Sequence, residues 1–400
     1  MKIPFLNLNR QYEQLQNEIE FAVVEVLRSG AYIGGKYVDE FESEMKSYLN
    51  AKHVIPCANG TDAIMIALRA CGVGYGDEVI TTPFTFFASA EAIAAIGAIP
   101  VFADVNEGDF NIDTSKIEDA ITEKTKAILP VHIFGWPCDM EFIDQIAKKH
   151  NLCVVEDAAQ AIGCEYSNKN KVGNTNNLVT FSFYPTKNLG AFGDAGMITT
   201  NDDNLAIIAR ALCQHGMGKN GAKAKELLGG KKDDFIPVFS DDPLYDPYKY
   251  FNHLIAYNSR LDAVQAVILS IKLRYLDEYN KKREEIANIY SRFLKDKVIT
   301  PPIPKHGKSS YHQYTILTNE KEELGKFLAE KGIGSGAFYP VPMHLQTAFD
   351  YLGYKKGDFP VAEMISSKTV CLPIFPELKE EEVKIVSQAV IDFHKGGRVF

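Results

Sequence analysis

The fold of this 400-residue chain is constrained most by a repeated alternation of short apolar runs and helix-like segments. Seven runs have the length and composition of β-strands, at residues 53–58, 78–82, 100–105, 127–133, 152–156, 178–184 and 196–200. Helical spacing of apolar residues follows several of them, at residues 61–71, 87–97, 114–122, 139–150 and 203–213. Continuous apolar strands are buried on both faces, so the pattern predicts an α/β fold with a mostly parallel seven-stranded sheet and helices on both faces.

The C-terminal part of the chain predicts a second, smaller α/β domain. An apolar stripe from Leu261 to Leu276 predicts one long helix from about residue 258 to 295, with residues 281–285 exposed. Further elements are predicted as a strand at 309–318 and helices at 320–331 and 379–394. We therefore expect a large domain at residues 1–255 and a smaller domain at residues 256–400, entered by the long helix.

Lys187 has the most informative surroundings of any residue in the chain. An apolar strand runs into it, a glycine-rich loop follows, and another apolar run upstream ends in Glu156 and Asp157. A single lysine is usually a solvated surface residue. A lysine that can form a Schiff base, paired with an acid that can partner a pyridinium nitrogen, is what pyridoxal 5'-phosphate (PLP) requires. The strand, the glycines and the acid together favour this second interpretation.

A phosphate-binding turn is predicted near residue 60. The apolar run at 53–58 turns at Asn59 and Gly60 and enters a helix with Thr61 or Asp62 near its start. A helix N-terminus presents free N–H groups and a positive dipole end, which suit a phosphate. Most such turns are only helix caps, so the prediction depends on the lysine and the acid as well.

The predicted strands also bring candidate residues to one edge of the sheet. Ligands of open α/β sheets bind beyond the C-terminal ends of the strands. The residues at or just past such ends are Asn59, Phe86, His132, Asp157 and Tyr184. The sequence therefore predicts one site at this edge.

Four motifs, at residues 59–63, 156–160, 182–190 and 257–262, resemble those of the DegT/DnrJ/StrS family of sugar aminotransferases. The resemblance extends over nearly the whole chain. It implies a PLP transferase of fold type I that forms a homodimer with shared active sites. It also implies transfer of an amino group from an amino acid, expected to be L-glutamate, to a keto sugar that is commonly attached to a nucleotide.

The resemblance also implies roles for individual residues. Lys187 and Asp157 are the expected catalytic pair, Gln160 the partner of the ring hydroxyl, and Phe86 (or else Phe87) the ring that stacks on the cofactor. The expected phosphate ligands are Gly60, Thr61, Ser182 and, from the partner subunit, Asn258. The candidate substrate residues are His344, His312, Arg260 and His215. Phe86 and Ser182 also suit purely structural positions, a lone histidine is more often structural, and Arg260 also suits an ion pair within its helix.

The lysine segment at 184–190 resembles the family branch that acts on 3-keto sugars more than the branch that acts on 4-keto sugars. The alternative is that the loop around His344 and residues 218–250 decide which carbon of the sugar is aminated. Residues 218–250 look like an insertion. That insertion suits either a surface loop or a lid or dimer arm near the sugar site.

Other function classes fit less well. A dehydratase of the same family has histidine in place of Lys187, and a non-catalytic regulator has no need of an intact Lys187–Asp157 pair. The glycines at 72–76 follow a helix, which argues against a nicotinamide-binding fingerprint. The net charge of −9 without a basic run argues against nucleic acid. No apolar stretch predicts a signal peptide or a membrane span, no metal site is predicted, and the seven scattered cysteines suit reduced cytoplasmic thiols.

Overall fold

A computed structural model of the chain describes residues 2–231, 251–301 and 304–395. Of the predicted insertion at 218–250, residues 232–250 therefore lie outside the described residues, whereas Gly218–Leu227 form a helix. Within the described residues, no helix combines the length and hydropathy needed to cross a bilayer.

The helices have these bounds: α1 (Leu8–Ser29), α2 (Lys36–Leu49), α3 (Gly60–Ala70), α4 (Phe87–Ala95), α5 (Met140–His150), α6 (Asp203–Cys213), α7 (Gly218–Leu227), α8 (Ala263–Leu273), α9 (Leu276–Leu294), α10 (Lys321–Glu330), α11 (Pro360–Lys368) and α12 (Glu380–Lys395). The strands are β1 (His53–Cys57), β2 (Glu78–Thr81), β3 (Ile99–Phe102), β4 (Thr125–Leu129), β5 (Cys153–Asp157), β6 (Glu165–Tyr166), β7 (Leu178–Ser182), β8 (Gly196–Thr200), β9 (Gly307–Lys308), β10 (Tyr314–Leu317) and β11 (Thr369–Leu372).

The large sheet confirms the predicted fold class. Its seven strands lie in the order β1-β8-β7-β5-β4-β2-β3. Only β8 runs against its neighbours β1 and β7, and the other pairings are parallel. Each of the seven predicted strands is present, so the strand part of the alternating pattern is confirmed.

Successive residues of each central strand enter two different cores, which shows that helices cover both faces of the sheet. On β5, Val154 packs into a core with α2, α5 and α8, whereas Val155 packs into one with α3, α4 and α6. Side chains alternate across a strand. Glu156 therefore shares the face of Val154, and Asp157, the last residue of β5, shares the face of Val155.

The predicted long helix at 258–295 is wrong, because it is two helices, α8 and α9, separated at Arg274–Tyr275. The residues of α8 pack against the large sheet and α1, whereas Ile286, Tyr290 and Leu294 of α9 pack with α10, α12 and the β10–β11 pair. The apolar stripe continues through the break because Leu273 and Leu276 are both buried. The domain boundary at residue 255 stays a prediction.

Three local predictions also need correction. Residues 114–122 form two short 3-10 turns rather than a helix, because Ile117 is their only fully buried anchor and Asp113 binds the N–H of Ser115. The strand predicted at 309–318 is confined to β10. The segment 281–285 is not wholly exposed, since Arg283 is buried.

Arg283 joins α9 to the segments around it. Its guanidinium donates to the backbone oxygens of Ile374 at 2.9 Å and of Tyr311 and His312, both at 3.4 Å. Burial lowers the pKa of Arg283 to about 10. The side chain is therefore a buried cation held by carbonyl dipoles at the centre of the smaller core.

We expect Arg283→Met to lower the free energy of unfolding by about 3 kcal/mol, because buried carbonyls lose a charged donor. Arg274→Met is the matched control, since Arg274 directly follows α8 and pairs with Glu18 on the surface. That control should cost less than about 1 kcal/mol. Urea unfolding of both variants measures the difference, and equal losses would contradict the structural role of Arg283.

Candidate active site

Asp157 is fixed at the C-terminal end of β5. Its Oδ2 accepts a hydrogen bond from Ser89 Oγ at 2.7 Å, and its Oδ1 accepts one from the N–H of Ala159 at 3.1 Å. Ser89 lies on α4 and is itself held by Thr85 at 2.9 Å. The carboxylate is buried, with 5% of the residue exposed. The sheet thus presents one oriented negative charge at this edge.

Lys187 lies beside this charge, on the loop that follows β7. Its N–H donates to the carbonyl of Tyr184 at 2.8 Å, which tightens the turn. Burial lowers the pKa of Lys187 to about 8, and the negative charge of Asp157 opposes that shift. A substantial fraction of the amine is therefore neutral near physiological pH, the form in which it is nucleophilic.

Two helices hold the loop directly after Lys187. Asn188 donates to Asn280 Oδ1 of α9 at 2.8 Å and to the carbonyl of Ser310 at 2.9 Å. Lys272 of α8 is buried and donates to the carbonyl of Gly190. Sequence reasoning missed both anchors. A lysine inside the apolar pattern of α8 was the available signal for Lys272.

The start of α3 forms a tight cradle against β7 and β8. A Cβ on Gly60 would lie 2.7 Å from the Cβ of Ser182, and one on Gly196 would lie 2.3 Å from the carbonyl oxygen of Asn59. The side chain of Asn59 accepts from the N–H of Asp62 at 2.8 Å. The N–H groups of Gly60 and Thr61 stand in the first turn, where a helix offers no acceptor. A phosphate fits this position.

An aromatic and amide wall faces the same edge. Phe86 is 57% exposed although it caps a buried helix, and its ring centre lies 6.1 Å from that of Tyr339. Gln160 Oε1 accepts from the N–H of Phe134 at 2.7 Å, and its Nε2 donates to the Tyr339 hydroxyl at 2.7 Å. Sequence reasoning missed Tyr339, since a tyrosine in a proline-rich stretch carries no signal of its own.

Two of the predicted substrate histidines are buried. His312 donates from Nδ1 to Asn188 Oδ1 at 3.0 Å, and burial together with the positive charges of Lys187 and Arg283 lowers its pKa well below 6.5. It is therefore a neutral ring behind the lysine loop. His344 is 2% exposed and pairs with Glu363 at 3.0 Å.

His132 belongs to a buried network on the other face of the sheet. It accepts from the N–H of Cys138 at 3.0 Å, so its other nitrogen donates to Glu156 at 2.9 Å. Tyr166 also donates to Glu156, at 2.7 Å. The neighbouring acids Glu156 and Asp157 thus have different surroundings.

The remaining candidates lie together near the start of α3. Asn258, Arg260 and His215 are exposed, and Asn258 pairs through its backbone with the residue before His215. Between them Ser259 is buried, and its Oγ accepts from the N–H of Ala58 at 3.1 Å. The side chains on either side of Ser259 therefore face solvent next to the cradle.

These residues fit PLP. The cradle suits its phosphate, Phe86 offers an open ring face, and Asp157 and Lys187 stand where a pyridinium nitrogen and an aldehyde need an acid and an amine. The family model of the DegT/DnrJ/EryC1/StrS aminotransferases matches residues 13–391. The chain belongs to this family.

Relatives agree with this membership over their full length. The chain is 47% identical to a "Pleiotropic regulatory protein" of Geobacillus stearothermophilus, covering 99% of both chains. It is 43% identical to the dTDP-3-amino-3,6-dideoxy-alpha-D-galactopyranose transaminase of Aneurinibacillus thermoaerophilus, covering 97% of this chain and 98% of that one. The crystal structure of S. venezuelae DesV in complex with a ketimine intermediate matches with a TM-score of 0.89 at 35% identity, covering 100% of both chains.

Membership of the DegT/DnrJ/EryC1/StrS family confirms the resemblance drawn from the four motifs. The match to DesV and to a DegT DnrJ EryC1 StrS aminotransferase from Brucella abortus, at a TM-score of 0.88, confirms the aminotransferase fold around the seven-stranded sheet. The roles of single residues stay predictions, because the structure shows their positions and not their partners in a reaction.

We expect the Lys187 amine of the cofactor-free protein to titrate near pH 8, because burial disfavours its charged form. Competitive labelling with acetic anhydride, followed by peptide mass spectrometry, measures each lysine separately. The exposed Lys36, with 76% of its side chain accessible, is the internal control. A midpoint for Lys187 equal to that of Lys36 would contradict its half-buried position beside Asp157.

Proposed function

We propose that this protein is a PLP-dependent aminotransferase that moves an amino group from an amino acid, L-glutamate, to a nucleotide-linked 3-keto sugar. The observation that carries the proposal is the meeting of Lys187, with its lowered pKa, and the oriented Asp157 at an edge that also carries a phosphate cradle. Membership of an aminotransferase family supports the reaction class.

PLP, when bound, supplies an electron sink for the carbon that exchanges its amino group. Lys187 would hold the cofactor, and its amine would carry a proton at the substrate carbon as a general base and acid. Asp157 would favour a protonated ring nitrogen, because an adjacent negative charge favours the charged form of the ring. The anchors at Asn188 and Gly190 keep the lysine aimed at that position.

Binding of the cofactor is assigned to the surrounding residues. Gly60, Thr61 and Ser182 would hold the phosphate, Phe86 would stack on the ring, and Gln160 would bind the ring hydroxyl. Asn258 completes the phosphate site of a neighbouring subunit. Its exposed side chain, next to the inward-facing Ser259, supports this assignment.

Substrate contacts are assigned less directly. Arg260 and His215 are exposed beside the cradle and suit an anionic nucleotide group. His312 and His344 are buried, so we propose that they shape the walls of the sugar site.

Amination at carbon 3 is supported by two observations. The segment at 184–190 resembles the branch acting on 3-keto sugars, and the Aneurinibacillus relative is named for a 3-amino sugar. Amination at carbon 4 is the alternative. A regulatory role is favoured only by the name of the Geobacillus relative, and the intact Lys187–Asp157 pair supports catalysis instead. The seven free cysteines support a reducing compartment, the cytoplasm.

We expect the purified protein to convert a 3-keto nucleotide sugar faster than the matched 4-keto form, with L-glutamate consumed to its oxo acid. Proton NMR of the product locates the new amine, and Lys187→Ala gives the background rate. A clear preference for the 4-keto form, with the amine at carbon 4, would overturn the assignment of position.

Asp157→Asn is the matched variant for this assay, because it keeps the shape of the side chain and removes its charge. We expect it to retain cofactor and lose roughly 100-fold in turnover. Activity equal to that of the unaltered protein would remove Asp157 from the catalytic pair.

A shared site predicts complementation between two inactive variants. Lys187→Ala and Asn258→Ala should each be impaired, because one removes the amine and the other a phosphate ligand. Mixed dimers then contain one pocket with neither defect, so subunit exchange should restore up to about half of the activity per mixed dimer. Demonstrated exchange without recovery would place Asn258 in the pocket of its own chain.

A further inference from the structure

Two cysteines that are far apart in sequence meet at the end of the sheet opposite the active site. Cys71 caps the C-terminus of α3, and Cys153 is the first residue of β5. The Cys153 thiol donates to the carbonyl of Cys71 at 3.9 Å. Each thiol also shifts the pKa of the other.

Both cysteines are accessible to reagents in solution. Cys71 and Cys153 are half-buried at the margin of the core between α3 and α6, and both line an open cleft. Asp202 and Leu228 form other parts of its wall. The five remaining cysteines are buried. This pair therefore combines proximity with access.

The two thiols are also unequal. Hydrogen bonding from Cys71 lowers the pKa of Cys153 to about 7, and burial opposes that shift. The same contact raises the pKa of Cys71. The thiolate is the form that attacks a disulfide, so Cys153 is the first nucleophile near neutral pH. Cys71 is then the thiol that makes the second attack.

We propose that Cys71 and Cys153 form a reversible disulfide by exchange with a low-molecular-weight disulfide, which makes this cleft a redox modification site. The Cys153 thiolate attacks one sulfur of the small disulfide and expels one thiolate. The sulfur of Cys71, as it loses its proton, then attacks Cys153 and expels the second. Two protein thiols are oxidised and one small disulfide is reduced to two thiols, so atoms and electrons balance.

The link would join two elements whose other ends carry the active site. The N-terminus of α3 carries Gly60 and Thr61, and the C-terminal end of β5 carries Asp157. A disulfide would close the loop between Cys71 and Cys153 and so remove conformational freedom from the unfolded chain. We therefore expect the oxidised protein to melt about 5 °C higher. The chemistry and its test do not depend on the proposed transamination.

The test is incubation of the native full-length protein with oxidised glutathione, followed by alkylation of free thiols and peptide mapping without reduction. The expected result is a crosslinked pair of peptides containing Cys71 and Cys153, lost again with dithiothreitol. Cys71→Ser should instead trap glutathione on Cys153, because the second attack is absent. Cys153→Ser should slow the uptake of glutathione at this cleft at least about tenfold, because the attacking thiolate is absent.

Cys213→Ala is the matched control, since Cys213 is buried in the same core and does not line the cleft. This variant should form the crosslink at the same rate as the unaltered protein. A crosslink seen only after denaturation, or glutathione retained on Cys153 in the unaltered protein, would overturn the proposal. An unchanged rate of glutathione uptake at the cleft in Cys153→Ser would overturn the proposal as well.

Discussion

The arrangement of the active site depends on one buried polar contact, the side chain of Asn188. This residue follows the lysine directly, and its amide joins Asn280 of α9, the carbonyl of Ser310 and the ring of His312. A buried amide is costly unless its donors and acceptor are all engaged. Because these partners come from two separate segments, the lysine loop takes its position only when α9 and the chain before β10 have assembled against the sheet.

The sequence predicted the part of the site that is encoded locally. Asn59, Asp157 and Tyr184 each lie where an apolar run ends, and strand ends in a parallel sheet share one edge, so periodicity alone placed them there. The same pattern also placed His132 at this edge, but His132 belongs to the buried network with Glu156. Lys272 and Tyr339 were missed because their relevance comes from contacts across the fold. His312 and His344 show the same limit, since their sequence surroundings do not distinguish a buried ring from one that lines a pocket.

The break between α8 and α9 illustrates a second limit. Hydrophobic periodicity reports which residues are buried, but it does not report what they are buried against. Leu273 and Leu276 lie on either side of the break and both pack into the core on the large sheet, whereas α9 contributes to the smaller core from Ile286 onward. The stripe therefore continued in sequence while the chain changed its packing partner. Arg283 was predicted to be exposed for a related reason. In the sequence, a buried cation held by carbonyl groups looks the same as a solvated one.

The alternation of Glu156 and Asp157 along β5 has a consequence for how this protein can evolve. The first acid belongs to the buried network with His132 and Tyr166, and the second to the reactive edge. A substitution at either position changes one of these environments and leaves the other in place. Insertion or deletion of a single residue within the strand would exchange the faces of both acids at once. Natural and laboratory variation should therefore reach new substrates through substitutions and loop-length changes outside β5, while the length of this strand stays fixed.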